Sequence, residues 1–301
     1  MAESRPVGRS RLDAVPPELL IVVGTLSVQC GGALAIVLIR EYGALPVVAL
    51  RIVVGAAMLV AFRRLRVRGA SRAALANCVL LGAILAAMNA LFYLAISRIP
   101  LGVTVTIEFS GPLTVAILGS RRWLDVVWVA LAAAGIYILA GGRLDAADLA
   151  GVAAALGAGA CWGAYIVTGR RMAGDWPDGR GLALAMTVAA VLIVPVALVG
   201  SDVKPLLAAP AALAGGVAVA LFSSVIPYTV EIAALRRLRA ATFGVLMSLE
   251  PGIAAGMGFL VLGQTLDSRD IAAIAFVVVA SAGASVSARH FAATPGELEA
   301  T

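Results

Sequence analysis

The chain has 301 residues, of which 61% are hydrophobic and 13% are charged, and its formal net charge is +6. Soluble domains carry about 25% charged residues. A mean hydropathy of +1.01 over the whole length therefore excludes one soluble globular core, because such a core needs a polar shell. Lipid is the expected solvent for most of the chain. The basic residues lie mainly in the short connections between the apolar segments, so the positive charge does not indicate nucleic-acid binding.

Long apolar runs fill almost the entire sequence. A bilayer requires about 20 apolar residues per helix, and these runs are continuous, which favours helices over the alternating strands of a barrel. The predicted fold is an all-α integral membrane protein with ten transmembrane helices. The predicted spans are 19–39, 45–62, 73–96, 100–118, 123–141, 147–169, 181–200, 211–232, 240–262 and 270–288.

The distribution of Arg and Lys between the connections predicts the orientation in the membrane. On one side of the ten spans lie 17 of the 23 basic residues, and only five lie on the other. This asymmetry predicts a multi-pass protein of the plasma (inner) membrane with both termini in the cytoplasm. The five on the opposite side are Arg40, Arg98, Arg143, Lys204 and Arg269.

The two halves of the chain share a pattern. A shift of 131 residues aligns Cys30 with Cys161, and a shift of 139 aligns Pro112 with Pro251. Each half contains five spans, an odd number, so the second copy is predicted to be inverted in the membrane. The predicted repeats cover residues 19–141 and 147–288. Inverted repeats are typical of secondary transporters whose substrate site lies near the bilayer midplane.

Glu108 is the strongest candidate for a functional residue, because a charge inside a span is costly and marks a transport route or a proton relay. It lies near the centre of the fourth span, and Pro112 has no N–H to bond the Glu108 carbonyl. The helix is therefore predicted to open at Glu108. Thr104 lies one turn earlier on the same face. The carboxyl can exchange a proton, or it can be a structural acid bonded to a neighbouring helix.

Two further charged residues lie within predicted spans. Glu250 is placed in the middle of the ninth span, directly before Pro251, and is a second candidate for proton coupling or substrate binding. Pro112 and Pro251 are the two predicted hinges. Arg51 lies about two turns inside the second span. Its side chain can reach outward to the headgroups, pair with Glu108, or hold a substrate carboxylate through two hydrogen bonds.

A set of aromatic and polar residues is a candidate lining of a polar pocket. Asn89 and Tyr93 lie one turn apart in the third span, Trp162 lies in the sixth, and Tyr228 shares a face of the eighth span with Glu231. Such residues can equally be contacts between helices or an interfacial belt. For Glu231, reaching toward the headgroups is the favoured interpretation because the cytoplasmic end is near.

Small-residue spacings predict close helix packing at Gly159-x-x-x-Gly163 and Gly252-x-x-x-Gly256. There is no GxxxxGK[ST] loop, the three cysteines are not spaced as CxxC, and His290 is the single histidine. The sequence therefore predicts neither a metal site nor a cofactor nor an enzyme.

Several motifs resemble the threonine and homoserine exporters, in the EamA group of the drug/metabolite transporter superfamily. The resemblance covers essentially all of 19–288. The motifs are Leu91 to Ser97 followed by Arg98-Ile-Pro100, then Ile107-Glu108-Phe-Ser-Gly-Pro112-Leu, Ser120-Arg-Arg122 with Asp125, and Ser248-Leu-Glu250-Pro251 with Leu262-Gly263-Gln264. The family pattern has Glu where this chain has Gln264, so this chain has no carboxylate at that position.

The resemblance implies ten helices in two inverted repeats and export of amino acids such as threonine or homoserine, in exchange for protons. The direction of transport rests on the resemblance alone. Export of drugs or other metabolites is the alternative within the superfamily. An integral membrane enzyme or a lipid-handling scaffold is the alternative from another class. The expected partners are membrane lipid, protons and the small-molecule substrate, and no nucleic acid.

Overall fold

The structure is a computed structural model that describes residues 14–63, 70–118, 123–140, 146–176, 179–235, 238 and 246–291. Some side chains inside these ranges lie outside the description, among them those of Tyr228 and Glu231. The predictions for these two side chains therefore remain predictions.

Every element in the described part of the chain is helical, which confirms the all-α class. A helix occupies each of the ten predicted intervals, and a short extra helix precedes the eighth. The helices are α1 (Pro17–Tyr42), α2 (Ala44–Arg63), α3 (Arg72–Ile96), α4 (Leu101–Glu108), α5 (Ser110–Leu118), α6 (Trp123–Ala140), α7 (Ala146–Asp175), α8 (Arg180–Gly200), α9 (Lys204–Ala208), α10 (Pro210–Ala220), α11 (Ile226–Leu235), α12 (Glu250–Leu262) and α13 (Ser268–Phe291).

Five helices in the described ranges are long and apolar enough to cross a membrane, judged by length and composition. Val199 and Leu260 are 90% and 77% exposed, so large apolar side chains cover parts of the outer surface. This surface suits lipid rather than water. The full count of ten spans stays a prediction. The five long segments are Pro17–Tyr42, Ala44–Phe62, Arg72–Ile96, Leu149–Gly169 and Arg180–Gly200.

The predicted fourth span consists of two helices rather than one. Helix α4 ends at Glu108, Phe109 lies at the junction, and α5 begins at Ser110. The physical reason is Pro112, which cannot donate a hydrogen bond to the Glu108 carbonyl. The predicted opening at Glu108 is confirmed.

The predicted eighth span is interrupted by a π-helical turn at Leu221–Val225, which we call the π segment. The Ile226 N–H bonds the Leu221 carbonyl five residues back, and Pro227 follows immediately. Because Pro227 has no N–H, the π-type bond to the Phe222 carbonyl and the α-type bond to the Ser223 carbonyl cannot form.

The helix of the predicted ninth span is interrupted directly before Glu250. Residues 248–249 form a turn, and Glu250 is the first residue of α12, with Pro251 next to it in the first turn. Proline is well tolerated there, since the first N–H groups of a helix have no partner within the helix. The Glu250 carboxyl therefore lies at the positive end of a helix dipole.

Most contacts between helices of the two halves have a counterpart. The counterpart is found by replacing each helix with the helix at the same position in the other predicted repeat. Helix α1 packs on α10, the π segment and α11, just as α7 packs on α3. Helix α3 packs on α8 as α10 packs on α2, and α1 packs on α12 as α7 packs on α4. The pairs α2 with α8, α4 with α12, and α6 with α13 join helices that have the same position in the two predicted repeats.

Glycines allow α7 to cross the α4–α5 junction at backbone contact. A Cβ added at Gly111 would overlap the Gly159 carbonyl, and a Cβ added at Gly159 would lie 2.6 Å from the Glu108 carbonyl. The predicted packing at Gly159 and Gly163 is confirmed. The corresponding prediction for Gly252 and Gly256 is wrong within the described part of the chain, because both are exposed with no atom within 4 Å of an added Cβ.

Candidate functional site

Arg51 points into the helical bundle from α2 and is only 9% exposed. Its Nη1 donates a hydrogen bond to Asn89 Oδ1 on α3. Its Nη2 donates to the Ser223 carbonyl of the π segment at 3.0 Å. Of the three roles predicted for Arg51, the outward reach to the headgroups is excluded by these inward contacts.

Asn89 and Tyr93 meet the same guanidinium from one face of α3. The Asn89 Nδ2 donates to the Leu85 carbonyl at 2.8 Å, which leaves its Oδ1 directed at Arg51. The Arg51 Cζ lies 5.5 Å from the centroid of the fully buried Tyr93 ring, within the range of a cation–π interaction. The one-turn spacing seen in the sequence thus places both side chains on one cation.

Polar groups with unused hydrogen-bonding capacity surround this cation. Within the described ranges, Arg51 Nε and the hydroxyls of Ser223 and Ser224 are buried without a hydrogen-bond partner. Ser224 Oγ lies 3.5 Å from a Cβ built on Gly55, one turn beyond Arg51 on α2. Buried polar atoms without partners are costly and are uncommon in proteins, so their concentration here indicates a place for a ligand.

Glu108 is 8% exposed at the α4–α5 junction. No ion pair within 4.0 Å joins its carboxyl to the Arg51 guanidinium in the described structure. Within the same part of the chain its carboxyl makes no hydrogen bond.

Two residues predicted as possible pocket lining, Thr104 and Trp162, have packing contacts near Glu108. Thr104 is fully buried, and its hydroxyl donates to the Pro100 carbonyl at 3.1 Å, back along its own helix. Trp162 stacks edge-on against Phe109, with ring centroids 5.0 Å apart and planes at 89°. Trp162 therefore supports the helix junction directly after Glu108.

Glu250 has a different set of neighbours. Gln29 Nε2 on α1 donates to Glu250 Oε1 at 2.9 Å, and both residues are buried. Gln29 was not among the predicted site residues. The signal was available, because an amide in the middle of an apolar span requires a partner for the same reason that Glu108 does.

Gln264, where the family pattern has an acid, holds the start of the helix that carries Glu108. Its Oε1 accepts a hydrogen bond from the Leu101 N–H at 3.1 Å. An amide oxygen thus satisfies one of the N–H groups left without a partner at the first turn of α4. In the described residues there is no group of three His, Cys, Asp or Glu side chains that could hold a metal ion.

Comparison with known proteins identifies relatives along nearly the whole chain. The profile of the EamA-like transporter family matches residues 149–286. The threonine/homoserine exporter RhtA of Salmonella typhimurium (strain SL1344) is 40% identical over 295 residues, covering 95% of this chain and 96% of the relative. The protein of the same name from Escherichia coli (strain K12) is 40% identical over 283 residues, covering 91% and 92%.

A solved crystal structure has a similar backbone arrangement. It covers 91% of this chain and 98% of its own length, with a TM-score of 0.61 and 19% sequence identity. At this identity the likeness concerns the fold alone.

Proposed function

The chain belongs to the EamA-like transporter family, and we propose that it exports small amino acids such as threonine and homoserine across the plasma membrane. The observation that carries the proposal is the burial of Arg51 and Glu108, at 9% and 8% exposure, with no ion pair within 4.0 Å between them in the described structure. Ionisable side chains inside a membrane protein are costly to bury and typically mark substrate or proton routes. A zwitterionic amino acid presents the complementary pair of charges.

The proposed architecture consists of two inverted repeats, residues 19–141 and 147–288, with both termini in the cytoplasm. The pairwise exchange of helix contacts between the two halves supports it, as does the 17 to 5 distribution of basic residues. In this arrangement, transport proceeds by rocking one repeat against the other around a site near the midplane.

Glu108 is the proposed proton-coupling group. Its carboxyl lacks a hydrogen bond to any described residue, so binding a proton or a substrate ammonium breaks no bond to it within that part of the chain. A proton entering the cell and an amino acid leaving it would then alternate at one carboxyl. Pro112 and Pro251 lie at helix breaks and are the proposed hinges.

The test is transport by purified protein in liposomes. Wild-type protein should export threonine uphill when a pH gradient drives protons in the opposite direction, and should also exchange labelled for unlabelled threonine. Glu108→Gln should lose uphill export but retain exchange, because the neutral amide mimics the protonated carboxyl. Glu41→Gln, at an exposed glutamate near the end of α1, is the matched control.

Three results contradict parts of this proposal. Wild-type export that ignores the pH gradient excludes proton antiport. A Glu108→Gln protein with an unaltered pH profile excludes Glu108 as the coupling group. Folded wild-type protein that transports drugs or other metabolites, but neither threonine nor homoserine, assigns a different substrate within the superfamily.

A further inference from the structure

The π segment offers two backbone carbonyls to side chains from the first half of the chain. Pro227 removes the N–H that would bond the Phe222 carbonyl in a π pattern or the Ser223 carbonyl in an α pattern. Ser27 Oγ on α1 donates to the Phe222 carbonyl at 2.7 Å. Arg51 Nη2 donates to the Ser223 carbonyl at 3.0 Å.

The Ser223 carbonyl occupies only one of the two N–H groups on the Nε–Nη2 edge of the Arg51 guanidinium. Nε and Nη2 lie side by side on one edge and form a fork that matches the two oxygens of a carboxylate. Here a single neutral carbonyl oxygen occupies Nη2, while Nε is buried with no partner in the described structure. The other terminal nitrogen, Nη1, is held by Asn89, so the orientation of the fork is fixed.

We propose that the Nε–Nη2 edge of Arg51 is the subsite for the substrate carboxylate, and that the Ser223 carbonyl accepts the Nη2 hydrogen bond until a substrate carboxylate displaces it. The inference rests on the proposed export of amino acids and names the chemical class that the site requires, a free α-carboxylate. The substrate ammonium group faces Glu108. Because Arg51 belongs to the first half and Ser223 to the second, displacement of the carbonyl also releases a contact between the halves.

Displacement depends on the charge of the incoming group. A carboxylate makes two charge-assisted hydrogen bonds to the fork, whereas the Ser223 carbonyl makes one hydrogen bond as a neutral acceptor. An amide or alcohol derivative of the same amino acid carries no negative charge and cannot form the paired contact. The subsite should therefore discriminate by the carboxylate rather than by the side chain.

The test measures competition with labelled L-threonine on the purified full-length protein in detergent, where no membrane potential acts on charged ligands. Unlabelled L-threonine should compete about tenfold or more better than L-threonine amide. Arg51→Gln should bring the two ligands to nearly equal affinity, measured as ligand-induced shifts of the unfolding temperature if the label no longer binds. Arg51→Lys should retain an intermediate preference, because a lysine keeps the charge but not the fork.

Arg40→Gln, at an exposed arginine near the end of α1, is the control and should keep the wild-type preference. Pro227→Ala tests displacement separately. The new N–H can bond the Ser223 carbonyl, so threonine should bind about fivefold more tightly while the amide is unaffected.

The outcomes separate this subsite from the proposed function. Folded wild-type protein that neither binds nor exports threonine overturns the proposed function, and the subsite with it. Wild-type protein that exports threonine but binds the amide equally well overturns the subsite alone. An Arg51→Gln protein that still prefers threonine over threonine amide about tenfold also overturns the subsite alone. An unchanged threonine affinity in Pro227→Ala overturns the displacement of the Ser223 carbonyl.

Discussion

The regions around Glu108 and Glu250 show how one residue type beside a helix break can have two different environments. Glu250 is the first residue of α12 and receives a hydrogen bond from Gln29. Glu108 is the last residue of α4 and makes no hydrogen bond in the described structure. The protein itself supplies a hydrogen-bond donor to the Glu250 carboxyl, whereas a donor to Glu108 has to come from what enters the site. Both glutamates lie near a proline, so the proline does not distinguish them. The difference is that a hydrogen-bond donor, Gln29, contacts only Glu250.

The largest expected difference between the two regions concerns coupling. In the liposome assay, Glu250→Gln should lower export only in proportion to the amount of folded protein and should keep the wild-type pH profile. Glu108→Gln should reduce uphill export to the level of empty liposomes. A lost pH response in Glu250→Gln would transfer the coupling role to that residue.

A pair of glycine substitutions tests the backbone packing of the same two regions. Gly111→Ala should destabilise the protein by about 3 kcal/mol, because the new Cβ overlaps the Gly159 carbonyl. Gly252→Ala, near Glu250, meets open space and should change stability by less than about 1 kcal/mol, in the stabilising direction. Unfolding in detergent measures both, and equal losses would contradict the difference in packing.

Removal of the Gln29 amide should affect stability but not coupling. Gln29→Met keeps the length of the side chain and leaves Glu250 Oε1 without this donor, at a cost of about 2 kcal/mol. The pH profile of export should not move. A double-mutant cycle with Glu250→Met, which removes the acceptor oxygen, should show a coupling energy between the two positions, and additive effects would indicate that the hydrogen bond contributes nothing.

The smallest expected effect is at the start of the helix that carries Glu108. Gln264→Ala removes the oxygen that bonds the Leu101 N–H and should destabilise the protein by about 1 kcal/mol. Gln264→Glu restores the acid of the family pattern and should be at least as stable as wild type, since a carboxylate is favoured at a helix N-terminus. A destabilised Gln264→Glu protein would show that the amide nitrogen also contributes.

Sequence by itself determined the helical class, the intervals that form helices and the break at Glu108. Each of these follows from interactions within a few residues: apolar length, and the missing N–H of Pro112. Pro227 likewise has no N–H for the Ser223 carbonyl four residues back. The sequence alone could therefore have predicted a break in the helix at the π segment.

Only the tertiary structure decided which residues meet. The direction of the Arg51 side chain, its bond to Ser223 172 positions away, and the pairing of Gln29 with Glu250 across 221 positions depend on how each helix is rotated about its axis. Apolar residues surround most of these helices, so no single polar face sets that rotation from sequence. The exposed positions of Gly252 and Gly256 have the same origin: a small-residue spacing permits close packing, but only a neighbouring helix makes use of it.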